Sequence, residues 1–185
     1  TAVDLDRFMG DWYVIAATPT FIDKEAFDAV ESYRRDADGS IATTYTFRDG
    51  GFEGPPRRYT PRGFPQPGSG NAVWDMQFVW PFRADYRIAW LAPDYSRVVI
   101  AREARDYAWI MARTPRIGEP QLEELYGFLR DNGYDTSTLR RFPQRDAGAT
   151  RSDADVASTR WRPRDPSALR ARGVLPSLLV RLRRR

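Results

Sequence analysis

Apolar and polar positions alternate along most of this chain with a period of two, the signature of strands that are buried on one face. Trp12–Ala17 opens the series as an aromatic and β-branched run. Ala29–Arg35 and Ile41–Phe47 follow as a hairpin around Asp36-Ala37-Asp38-Gly39, a strong turn signal. Arg57–Gly63 is a weaker strand, because Pro61 cannot donate to a ladder and marks an edge or a bulge. Ala72–Trp80, Tyr86–Leu91, Arg97–Arg102 and Tyr107–Arg113 complete eight short strands with regular turns. This pattern predicts an all-β fold, an eight-stranded up-and-down antiparallel β-barrel. Val3–Met9 reads as a lead-in turn or short helix. The period then changes: over Glu119–Asn132, Leu122, Leu125, Phe128 and Leu129 recur at helical spacing, and Gly133 is a stop signal. One helix is expected after the barrel.

Three short motifs sharpen this picture. Gly10-Asp11-Trp12-Tyr13 places a glycine and a tryptophan at the entry to the first strand. Pro93-Asp94-Tyr95 lies in the turn before the seventh strand, and Arg113 ends the eighth. Together they resemble the signature of the lipocalin family, with the order and spacing of its bacterial and apolipoprotein D-like branch. The Asp-x-x-Tyr turn is shortened here to adjacent Asp94-Tyr95. The resemblance covers about residues 3–142. It implies that the helix packs outside the barrel, that Arg113 lies across Trp12 at a closed base, and that Gly10, Trp12, Asp94, Tyr95 and Arg113 are structural. It also implies binding, transport or storage of a small hydrophobic ligand such as a fatty acid or lysophospholipid, in the periplasm or at the outer membrane.

Up-and-down order puts the opposite end at the mouth, rimmed by Thr18–Asp28, Arg48–Pro56, Pro81–Asp85 and Glu103–Asp106. Strict alternation from Trp12 turns Val14 and Ala16 inward. It groups Trp74, Met76, Phe78 and Trp80 on one face of the fifth strand, and Tyr86, Ile88 and Trp90 on one face of the sixth. Arg113 sets the parity of Met111, Trp109 and Tyr107. With Tyr33 and Tyr45, these residues form the expected ligand wall. Glu31 shares a face with Tyr33, and parity alone leaves its direction open.

Composition removes several chemistries. The 185 residues contain no cysteine and no histidine. Thiol catalysis, disulfides, zinc–thiolate sites, the usual general base and the usual haem ligand are therefore excluded. Paired acids such as Asp4/Asp6 and Glu123/Glu124 read as solvated surface charge. No catalytic residue, metal site, cofactor or nucleic-acid partner is expected.

The net charge of +4 is uneven. Asp146–Arg185 carries ten arginines against four aspartates, while the rest holds nineteen bases against twenty-one acids. Two parts are expected: residues 1–143 as barrel plus helix, and 144–185 as a basic, Pro- and Arg-rich extension. Within it, Arg160–Arg185 has the composition of a segment that meets an anionic membrane surface or a protein complex, and Ser177–Arg185 would be amphipathic if helical. An alternative function follows: an accessory subunit of a membrane-associated or pigment–protein complex docked through that extension. A lipocalin-type enzyme ranks below both.

Overall fold

The computed structural model describes residues 2–145. The chain enters through a four-residue helix, α1 (Leu5–Phe8), whose first turn is capped by Asp4 accepting from the backbone N–H of Asp6 and Arg7. The strands are β1 (Gly10–Ala17), β2 (Ala26–Arg35), β3 (Ile41–Asp49), β4 (Pro56–Tyr59), β5 (Arg62–Pro65), β6 (Val73–Val79), β7 (Phe82–Leu91), β8 (Arg97–Ala101) and β9 (Ala108–Ala112). Each pairs antiparallel with its neighbour, and β1 pairs with β9 to close the barrel. Segments β4 and β5 both pair with β3 and together act as one barrel strand. The break between them falls at Thr60-Pro61, where the Pro61 carbonyl accepts from Thr43 N–H. Proline thus interrupts one strand rather than ending it.

The rim differs from expectation in one place. Residues 82–85 belong to β7, so the connection after β6 is a tight turn instead of a loop over Pro81–Asp85. The long connection between β1 and β2 and the one between β3 and β4 stay at the mouth. The other end is shut by α1, which is tied to the β5–β6 turn through Val3 N–H to the Gly70 carbonyl and Asn71 Nδ2 to the Val3 carbonyl.

Helix α2 (Glu119–Asp131) ends where Gly133 takes a left-handed φ of +81°. Its buried Leu122, Leu125 and Leu129 pack outside the barrel against Ile15, Ala16, Val99, Ala108, Ile110 and Ala112. A two-residue strand, β10 (Arg140–Arg141), then adds to β1. Past it, Phe142 is buried in the barrel's inner cluster. Gln144 Nε2 donates to the carbonyls of Val14 and Ala29 at 2.8 and 2.9 Å. Arg145 pairs with Asp28 at 3.0 Å. The barrel's contacts therefore run two residues beyond Pro143. The expected basic extension, including Arg160–Arg185 and the amphipathic Ser177–Arg185, lies outside the described residues.

Candidate functional site: the barrel interior

The closed end is held by one cation. The Arg113 guanidinium lies 3.8 Å from the Trp12 ring centre. It donates to the carbonyls of Asp11, Arg7, Phe8 and Met9 at 2.8–2.9 Å. Trp12 Nε1 donates to the Phe8 carbonyl at 2.9 Å. Gly10 turns into β1 with φ +93°, a region that side chains with a Cβ rarely adopt. Tyr95, at φ +62°, accepts from Asp4 N–H through its hydroxyl and lies under the Arg7 guanidinium at 4.0 Å. Asp94 stabilises that turn by accepting from Ser96 N–H and Oγ. All five signature residues thus sit together at the base, and their polar atoms are committed to it.

Above the base, the inner wall is aromatic. Val14, Tyr33, Tyr45, Trp74, Met76, Tyr86, Ile88, Trp109 and Met111 belong to one buried inner cluster, with Tyr107 packed against it. Trp74 stacks on Tyr86 with ring centres 5.2 Å apart, and Tyr45 lies 5.3 Å from Trp109. The Tyr33 and Tyr86 hydroxyls share a short hydrogen bond.

Four residues expected on that wall are elsewhere. Ala16 and Trp90 face outward into the cluster beneath α2. In β1 the register against β9 shifts between Val14 and Ala16, and in β7 the register against β8 shifts between Ile88 and Trp90. Each bulge inserts one residue, so the alternation flips and the next inward residues are Ala17 and Leu91. A third shift, between Met76 and Val79 in β6, leaves Phe78 48% exposed. Trp80 lies past the end of β6 in the turn and is 81% exposed. No glycine or proline marks these bulges inside the strands, so strict period-two reasoning runs straight through them.

The structure also resolves the direction of Glu31. Its cross-strand partners are Trp12 on β1 and Tyr45 on β3, both inner residues. Glu31 is 2% exposed, and its Oε2 atom has no hydrogen-bond partner. Burial, and then the nearby Asp23 carboxyl, push its pKa well above the ordinary carboxylate range. Asp23, from the mouth loop, is also buried. It accepts from Thr20 N–H and Oγ1 at 2.7 Å and from the Tyr45 hydroxyl at 3.3 Å. Burial raises its pKa too, against those hydrogen bonds. Asp23 was not singled out by the sequence pattern, because it stands in an irregular loop.

The lipocalin-like domain family matches residues 3–144. The chain is 30% identical over 156 residues to temperature-induced lipocalin-1 of Arabidopsis thaliana, covering 78% of this chain and 81% of that protein. It is 29% identical over 145 residues to the outer membrane lipoprotein Blc of Escherichia coli K12, covering 72% and 75%. Lobster apocrustacyanin A1 has a similar fold, with TM-score 0.60 at 15% identity, covering 76% of this chain and 79% of that one.

Proposed function

Because the chain belongs to the lipocalin family, we propose that it binds a small hydrophobic ligand inside the barrel, admitted at the end opposite Arg113. The observation that carries this reading is the inner wall itself. Nine aromatic and apolar side chains from β1, β2, β3, β6, β7 and β9 converge there, with Tyr107 beside them, while Arg113 is spent on closing the base. An apolar cargo packed against these side chains would be favoured by roughly 25 cal/mol per Å² removed from water. The phenols, indoles and thioethers of the wall suit binding of such a cargo. A neutral fluorescent probe, N-phenyl-1-naphthylamine, tests it. Long-chain amphiphiles should displace the probe, and Trp109→Ala should weaken it. A probe that never enters the protein would overturn the proposal.

A second observation bears on where the protein works. Phe21 is 54%, Val79 64% and Trp80 81% exposed. Phe21 lies in the β1–β2 loop, and Val79 and Trp80 lie at the β6–β7 turn. Both connections are at the mouth, on opposite sides of the rim in the strand order. Exposed aromatics flanking an opening suit contact with a lipid surface. This supports a place at the cell envelope, as for the outer membrane lipoprotein it resembles, with the basic Arg160–Arg185 segment as a second proposed contact. Flotation with phosphatidylglycerol vesicles should carry the protein, and Trp80→Ser should reduce the bound fraction.

A further inference from the structure

Glu31 is out of place in a wall built for hydrocarbon. A carboxyl inside an apolar barrel costs free energy unless something pairs with it. The base shows a charge that the fold has matched: half-buried Arg113 meets four carbonyls. Glu31 Oε2 meets no donor among the described residues. The groups nearest it electrostatically or by register are the Asp23 carboxyl from the β1–β2 loop, Tyr33 on β2, Tyr45 on β3, Tyr86 on β7, and Tyr107 just before β9. None is a cation. Arg113, on the far side of Trp12, donates to four backbone carbonyls at the base.

The available partner is thus one that arrives with the ligand. We propose that Glu31 is the polar anchor of the barrel's cargo, and that the cargo is a long-chain amphiphile ending in a protonated amine. This rests on the proposed ligand-binding function and narrows its ligand class. An ammonium group supplies three donors to the orphaned oxygen and its carboxyl, and the phenol and indole faces beside Glu31 attract cations. A fatty-acid carboxylate would instead bring a second anion next to Glu31 and Asp23, with no cation to share. When the empty site holds Glu31 as the neutral acid, the ammonium enters protonated, the carboxyl gives its proton to solvent, and a charge-paired N–H···O contact forms. The net change is one bound ligand and up to one released proton, with no covalent bond to the ligand altered.

The test uses the full chain at pH 7 and three probes of equal chain length: dodecylamine, dodecanol and dodecanoate. Each competes against N-phenyl-1-naphthylamine. The amine should bind at least about tenfold more tightly than the acid, a difference of about 1.4 kcal/mol. Calorimetry in two buffers of different ionisation heat should show proton release on amine binding. Glu31→Gln, which keeps the shape and removes the charge, should abolish both the preference and the proton release while still binding dodecanol. Equal affinity for acid and amine in the parent protein would overturn the assignment, as would a preference that survives Glu31→Gln. If none of the three displaces the dye, the hydrophobic-ligand reading falls with it. The parent protein's own ranking and proton count decide the matter even if the variant does not fold.

Discussion

Two ionisable side chains, a half-buried arginine and a buried glutamate, lie on either side of one tryptophan. Arg113 stacks on Trp12 from the base, and Glu31 is the cross-strand partner of Trp12 inside the barrel. The arginine is satisfied by four backbone carbonyls that α1 and the start of β1 turn toward it. The carboxyl has an oxygen with no partner. The two ends of the barrel therefore treat their ionisable groups differently. Completeness of hydrogen bonding marks the difference: Arg113 donates to four carbonyls at the closed end, while inside the barrel Glu31 Oε2 and Trp109 Nε1 have no partner among the described residues.

Substitutions can break this contrast at either side, and the largest effect is expected at the base. Arg113→Ala removes a packed cation and its hydrogen bonds, and should lower stability by about 3 kcal/mol. For a barrel of this size that is a fall of roughly 10 °C in melting temperature. Affinity for an apolar probe should be nearly unchanged in the fraction that remains folded. A variant that melts like the parent but loses the probe would place Arg113 in the binding site.

Glu31→Gln should act in the opposite sense. Because burial raises the carboxyl's pKa in the folded state, its favourable protonated form is fully present below the unfolded value of about 4.5, and stability is lost as pH rises through the folded pKa. Asp23 shifts the same way. Denaturant midpoints measured from pH 4 upward should fall in the parent and fall less steeply in Glu31→Gln, so that the variant is the more stable protein at alkaline pH. Parallel curves for the two would show that Glu31 is already compensated.

Smaller effects come from the edges of the two regions. Tyr95→Phe removes the acceptor of Asp4 N–H and should cost about 1 kcal/mol by urea denaturation, with no change in ligand preference. Truncation after Arg145 keeps the Gln144 and Arg145 contacts that hold β1 and β2. It should leave the melting temperature and probe affinity at the parent's values while lowering vesicle binding in a salt-dependent way. Unfolding of the truncated protein would assign the basic segment to the fold. Trp80→Ser should change stability least, by under about 0.5 kcal/mol, since the ring is exposed at the mouth.

The hydrophobic pattern by itself determined the architecture, eight barrel strands and the helix after them, and the resemblance carried by three short motifs implied the closed base. These are properties of local period and of turn chemistry, which act over a few residues and can be read from them. It also determined most of the inner wall, from Val14 to Met111. What tertiary structure decided was parity past each bulge and the inward position of Glu31. Ala16 and Trp90 left the wall because single-residue insertions in β1 and β7 reversed the alternation against their partner strands. Phe78 and Trp80 moved to the rim for a similar reason at the end of β6. Glu31 became an interior carboxyl because the register set it between Trp12 and Tyr45. Register and bulges are settled by pairing between strands distant in sequence, so no single strand's pattern contains them.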